Sequence, residues 1–230
     1  MPTIVEIDVK CPRCGDPARC RVADTVSASR APELRRAILD RTFHAVRCAG
    51  CELEFVVEKH LLYDDFDRGH WIGVFPGADE ERFAECEELV LQSFREAMFH
   101  NAAPVLREWA PQFKVRVVFS IVQLREKLLC WDAGVDDQVL ELTKLDLIGE
   151  RPELIEYGVK SLCLEAVTPD GWVFSPVRYT PYRDARIQGM VVPRAVIDRV
   201  AATVGELRQA HAPLWERPYV SIQRYLTGLA

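Results

Sequence analysis

Four cysteines stand in two pairs, Cys11-Pro12-Arg13-Cys14 and Cys48-Ala49-Gly50-Cys51, separated by residues 15–47. Thiolates are soft ligands, and a C-x-x-C turn aims two of them at one point. Two such turns close a tetrahedral site of the kind that holds Zn2+ at about 2.3 Å from each sulfur. A site closed by four thiolates has no open position for water, so its chemistry is structural rather than catalytic. A C-x-x-C pair can also exchange thiol and disulfide. That reading uses one pair and leaves the other without a role. Four cysteines can also carry an iron–sulfur centre, though its ligands usually sit at denser spacing on longer loops. Cys11, Cys14, Cys48 and Cys51 are therefore read as ligands of a structural Zn2+.

The other candidates are weaker. Asp136-Asp137 follows Gly134 and has the form of a metal or acid/base dyad. The simpler reading is a helix N-cap with a favourable dipole contact. Asp64, Asp65 and Asp67 resemble a loose cation loop but lack the acidic spacing of an EF-hand, which favours a polar hairpin turn. The histidines are His44, His60, His70, His100 and His211, and none lies in an H-E-x-x-H or C-x-x-C-H motif. His60 and His70 flank one expected hairpin and could face each other across it. No G-x-S-x-G, Walker A or dinucleotide fingerprint is present. Tyr179, Pro181, Tyr182, Trp215 and Tyr219 form an aromatic, proline-rich set that suits either half-buried packing or a partner surface. Cys20 is near enough to the first pair to be a spare ligand. Cys86, Cys130 and Cys163 read as small buried hydrophobes.

Composition narrows the function classes. A chain of 230 residues has room for one large domain or two small ones. No apolar run approaches the roughly 18 residues of a membrane span, and the N-terminus has no basic start ahead of an apolar stretch. A cytoplasmic protein with reduced thiols is the expectation, because eight cysteines are too few for a disulfide scaffold at this length. The formal net charge is −6, and four thiolates around a divalent ion lower it further. Such a field opposes general attraction to phosphate backbones. From Pro176 onward eight Arg face four acidic residues. Solvated side chains on helix surfaces are the simpler reading of that bias.

The elements that position the cysteines follow from periodicity. Residues 2–10 alternate as a strand with one buried face and deliver Cys11, with Gly15 permitting a turn beyond Cys14. A second strand covers residues 18–27. Pro32 opens a short helix with Leu34, Ile38 and Leu39 on one stripe, ending near Asp40. Phe43, Ala45 and Val46 lead back to Cys48, and Gly50 gives the second turn. Leu53, Phe55 and Val57 form the strand beyond it. A hairpin follows over His60–Tyr63 and His70–Phe75. Phe83, Cys86, Leu89, Val90, Phe94, Ala97 and Met98 then give the clearest helical spacing in the chain. Lys114–Phe119 is a β-rich run, and Ser120–Gln123 has the form of a capping box opening a helix to about Cys130. Another helix runs from Gln138 to Ile148. A hairpin spans Ser161–Val177 over Thr168-Pro169-Asp170-Gly171. Pro193 opens a further helix, and a last short one covers Tyr219–Leu229.

These pieces together resemble the bacterial and archaeal CpXC family. The resemblance rests on Cys11-Pro12-Arg13-Cys14, Pro32-Glu33-Leu34 ahead of Ile38-Leu39, and Cys48-Ala49-Gly50-Cys51. It continues with Leu61-Leu62-Tyr63-Asp64, Trp71-Ile72-Gly73-Val74-Phe75-Pro76, Leu124–Lys127, Gly134–Asp137 and Val139–Leu142. It covers roughly residues 1–150. Ala49 departs from the proline often found there, at the cost of a little turn rigidity. The resemblance implies a zinc-ribbon module with an attached α/β part. It carries over Cys11, Cys14, Cys48 and Cys51 as zinc ligands and carries over no catalytic residue. The expected fold is α+β: a zinc ribbon with a helical insert over residues 1–77, then an α+β domain over residues 78–230 that ends in helices. The expected function is a non-enzymatic binding, scaffolding or regulatory module with a protein partner. The alternatives are an enzyme using Asp136 and Asp137, and a nucleic-acid binder using C-terminal Arg residues.

Overall fold

The computed structural model describes residues 4–100, 102–156, 158–178 and 189–225. It divides into two compact units, Met1–Leu124 and Arg125–Ala230, and the fold is α+β.

In the first unit β1 (Ile4–Lys10) and β2 (Pro17–Ala23) form an antiparallel hairpin. Strand alternation puts Ile7, Val9, Ala18, Cys20 and Val22 in one apolar cluster with Val46, Phe55 and Val57. The last three come from the second hairpin and its edge, β4 (Ala45–Arg47) and β5 (Glu54–Val56). The strand expected over residues 18–27 breaks at Asp24. Its first part pairs with β1. Its second part, β3 (Thr25–Ser27), lies parallel to β6 (Leu61–Asp65). The break lets one stretch of chain serve two sheets. Between the hairpins α1 (Pro32–Leu39) starts with proline in its first turn, buries Ile38 and ends at Asp40, as its sequence predicts.

The larger sheet of this unit has the order β3-β6-β7-β8. The expected hairpin forms between β6 and β7 (His70–Val74). The chain then runs through a 3₁₀ turn (Gly77–Arg82), α2 (Phe83–Arg95), a π turn (Glu96–His100) and α3 (Pro104–Trp109). It returns as β8 (Lys114–Val118), parallel to β7. Parallel neighbours need such a crossover, and α2 covers the sheet with Cys86, Val90 and Phe94 buried.

The division between the units falls inside α4 (Ile121–Asp132). Its start is the expected capping box with one shift. Ser120 Oγ accepts the Gln123 amide at 3.1 Å, while Gln123 Oε1 accepts the amide of Phe119 rather than that of Ser120, at 2.8 Å. The second unit continues with α5 (Asp137–Gly149), α6 (Pro152–Glu156), and the antiparallel strands β9 (Val159–Thr168), β10 (Gly171–Arg178) and β11 (Met190–Val192) in the order β11-β10-β9. It closes with α7 (Arg194–Ala210), α8 (Pro213–Glu216) and a 3₁₀ turn over Ile222–Tyr225. The helix expected over Tyr219–Leu229 is that 3₁₀ turn in its described part; residues 226–229 lie outside the described residues. Trp172, Phe174, Leu162 and Leu164 of the sheet, Leu140 and Leu142 of α5, and Ile197 of α7 form the core. Among the described residues no helix is long and apolar enough to cross a membrane.

Candidate metal centre

Each cysteine pair sits in the turn of one hairpin, and the two turns have the same backbone bonds. In the first, the Cys11 amide donates to Asp16 O and the Gly15 amide to Cys11 O, both at 2.9 Å. In the second, the Cys48 amide donates to Leu53 O and the Glu52 amide to Cys48 O, again at 2.9 Å. The residue after the second cysteine takes a left-handed conformation in both turns: Gly15 at φ 78° and Glu52 at φ 57°. Gly50 lies within the second turn, as the sequence suggests, but the left-handed residue of that turn is Glu52. Gly50 serves instead for close approach. A Cβ on Gly50 would overlap the Asp16 carboxylate, so the absence of a side chain there lets the two turns meet.

The four sulfurs converge, all within 4.8 Å of one another. Cys11 and Cys51 Sγ are 3.5 Å apart, as are Cys14 and Cys48 Sγ. A tetrahedron with metal–sulfur bonds of about 2.3 Å has edges of about 3.8 Å, so the cluster has the size of a four-thiolate metal site. Cys11 and Cys48 are buried, Cys51 is half-buried and Cys14 is exposed. The Cys14 amide, and less strongly the Arg13 amide 3.4 Å from the sulfur, hold the Cys11 thiol down at about 6 against the opposing effect of burial. Cys14 moves the other way. The Asp16 amide favours its thiolate, but partial loss of water around the sulfur and the neighbouring Cys48, Cys51 and Cys11 sulfurs push it up to about 12. Cys51 is also raised: the Leu53 amide favours its thiolate, and burial with the Cys11 and Cys48 sulfurs outweighs that. Four thiolates this close repel one another, and a divalent cation among them removes the repulsion. The residues fit a resident metal ion.

Cys20 is no spare ligand. It is buried in the apolar cluster, with its thiol 3.6 Å from Arg21 O. Cys86, Cys130 and Cys163 are buried, as their surroundings in the sequence suggest.

Asp136 and Asp137 separate. Asp136 is exposed at the N-cap position of α5 but makes no capping side-chain bond. Asp137 is fully buried and lies 3.2 Å from Lys127 Nζ. It belongs to a charge network that the sequence reading missed. Lys127 Nζ also reaches Glu141 at 3.6 Å and donates to Val220 O at 2.6 Å. Lys144 Nζ bonds Glu126 at 2.5 Å and Glu141 at 2.8 Å. The remaining carboxylate oxygens take backbone donors, Glu126 from Leu164 at 2.5 Å and Glu141 from Ile222 at 2.9 Å. Burial raises Glu126, whereas the two lysines outweigh burial at Glu141 and lower it. Such pairing is the requirement for burying charge. Val139–Lys144 is buried at every position, so its charged members had to be paired inside, and that burial is visible only in the folded chain.

The remaining candidates are structural. Asp65 is fully buried and accepts bonds from Arg68 at 2.9 Å and Ser29 at 3.2 Å, and Asp64 accepts one from Ser27 at 2.8 Å, which excludes an open cation loop. His60 and His70 do not face each other. His60 lies before β6 and bonds Asp79 at 2.9 Å, while His70 pairs in register with Asp65. Tyr219 is buried, and Trp215 packs against the second core. Tyr179, Pro181 and Tyr182 lie outside the described residues. Of the C-terminal arginines, Arg194 pairs with Asp198, Arg199 with Asp146 and Glu150, and Arg224 donates to Tyr219 O.

Comparison with curated proteins and comparison with solved structures each return no match. Residues 9–144 match the family described as CpXC protein, from just before the first cysteine turn to Lys144 of the buried charge network. That match spans more than half of the chain, and the chain belongs to the CpXC family.

Proposed function

We propose that Cys11, Cys14, Cys48 and Cys51 hold one structural Zn2+ and that the protein is a non-enzymatic binding module of the cytoplasm with a protein partner. The observation that carries the reading is the meeting of four sulfurs, from two hairpin turns of identical backbone bonding, within 4.8 Å. Zinc is the ion that a reducing compartment supplies to a closed four-thiolate site, and it needs no redox chemistry there. The ion ties two small hairpins that share a modest apolar cluster and makes them a rigid β platform. The enzyme alternative loses its candidate dyad, because Asp137 is buried in an ion pair while Asp136 is exposed.

The test is metal analysis of protein purified without chelators. One zinc per chain, lost in Cys48→Ser, is the expected result. Protein that is metal-free, or that shows the absorption of an iron–sulfur centre, overturns the assignment.

A further inference from the structure

The proposed binding module needs a surface, and β2 offers one along the edge that β1 does not cover. The hairpin register fixes which backbone groups face outward. The Cys11 amide donates across the hairpin to Asp16 O, and the Ala23 amide turns away from β1 to His44 Nε2 at 2.8 Å. Pairing alternates along an antiparallel ladder. Both bonds therefore give the same parity: Ala18, Cys20 and Val22 bond β1, while Arg19, Arg21 and Ala23 present their amides and carbonyls to the other side. Among the described residues β2 pairs with no other strand. Pro17 has no amide hydrogen to offer at one end, and His44 occupies the Ala23 amide at the other. The free stretch is Arg19 and Arg21. Among the described residues the Arg21 carbonyl, on the side away from β1, receives only the long 3.6 Å contact from the Cys20 thiol.

A walled cleft runs beside this edge. This cleft of about 600 Å3 is lined by five consecutive β2 residues, Arg19–Ala23, and on its far side by Glu33, Leu34 and Ala37 of α1 with Phe43 and His44; Glu33 is its one acidic member among the described residues, against Arg19 and Arg21. Consecutive strand residues point to opposite faces, so a cleft that all five line runs along the edge. Its volume lies within the range of ligand-holding clefts, roughly 300–1,000 Å3.

The charge of the edge selects the occupant. Arg19 and Arg21 share one face of the hairpin and are exposed. On their other flank β1 sets Asp8 opposite Arg19 and Glu6 opposite Arg21. The Arg19–Asp8 contact is loose, 3.6 Å between side chains more than 70% exposed (72% and 77%), so it does not consume the charge of Arg19. We propose that this edge binds an extended partner segment with acidic residues at alternate positions, added as a further strand beside β2. The acid-x-acid pattern is the one β1 already shows with Glu6-Ile7-Asp8. Backbone bonds to Arg19 and Arg21 give affinity, and the two arginines select for acid. Without such a partner, the same charges keep the edge from pairing with copies of itself.

This inference rests on the binding-module reading, and its test separates the two. A fluorescein-labelled heptapeptide alternating Glu with Val is titrated against the zinc-loaded chain, with a Lys-for-Glu peptide as control. Amide hydrogen exchange is read by NMR. The Glu peptide should bind saturably and slow exchange at Arg19 and Arg21, while Cys20 and Val22 are slow from the start. The double variant Arg19→Glu/Arg21→Glu should weaken the Glu peptide by about tenfold or more and gain the Lys peptide. Its zinc content reports that the ribbon is still folded. Lack of Glu-peptide binding, binding without protection at Arg19 and Arg21, or equal affinity after the charge reversal overturns the edge assignment. If a protein partner is identified and the reversal leaves its affinity unchanged, the binding-module reading stands and the edge assignment falls.

Discussion

Gly15 and Glu52 occupy the same position in the two cysteine turns, and both take the left-handed backbone conformation, at φ 78° and 57°. Each places its amide on the carbonyl of the first cysteine of its pair, at 2.9 Å. Glycine adopts that conformation at no steric cost, whereas an L side chain is strained there by about 1–2 kcal/mol. The second turn therefore carries strain that the first does not. No side chain lies within 4 Å of where a Gly15 Cβ would stand, so the backbone alone sets the cost of replacing it.

Two substitutions should accordingly move stability in opposite directions. Gly15→Ala is expected to destabilise by about 1–2 kcal/mol. Glu52→Gly should stabilise by a few tenths to about 1 kcal/mol, since relief of strain exceeds the added freedom of the unfolded chain. The Arg47–Glu52 pair at 3.2 Å is exposed and contributes little to the balance. Urea unfolding at saturating zinc reads both, and equal signs would refute the comparison.

Asp16 and Gly50 should be coupled. Gly50→Ala sets a methyl group against the Asp16 carboxylate and is expected to cost about 1 kcal/mol, because Asp16 is exposed and can swing aside. In an Asp16→Ala background the same change should be close to neutral. A double-mutant cycle measures the coupling.

Loss of the metal should unfold the ribbon first. Cys48 is 1% exposed, and Cys48→Ser replaces a soft ligand with a poor one. Chelation or Cys48→Ser should raise amide exchange throughout β1, β2, β4 and β5. Protection in α5, β9 and β10 should persist, since their core contains no metal ligand. Uniform loss of protection over both units would contradict this.

The buried charges of the second unit should act as a set. Lys127→Met leaves Asp137 and Glu141 short of a cation and Val220 O short of a donor. Removing one partner of a buried pair costs about 3–5 kcal/mol. Lys127→Met/Asp137→Leu should recover a large part of that loss, because two apolar groups replace a charged pair. Chemical denaturation of the three proteins is the measurement.

Acid should weaken the fold through two histidines. Burial lowers both His44 and His70 from 6.5 to about 4. Each stays neutral when folded while the unfolded chain takes up a proton. Their contribution is therefore whole above pH 6.5 and is lost as pH falls towards 4. Replacing both with Gln should flatten the stability profile in that window. Acid release of the metal affects parent and variant alike, so the difference between their profiles isolates the histidines.

The sequence by itself determined the local elements and singled out the four cysteines that cluster. C-x-x-C spacing places two sulfurs on one turn whatever surrounds it, and Pro32 with the Leu34–Ile38 stripe specifies α1 through φ restriction and 3.6-residue periodicity. The 60–75 hairpin and the helix from Phe83 were legible for the same reason. Tertiary structure alone decided which groups meet across long separations. The pairing of β7 with β8, the division of residues 17–27 between two sheets and the fit of Asp16 over Gly50 leave no periodic trace. Asp137 carries the same lesson. Beside Asp136 it reads as a cap or a dyad, and only packing of α4 against α5 brings Lys127 to it. Local propensity acts within a few residues, while the burial that forces charges to pair depends on neighbours that the fold alone supplies.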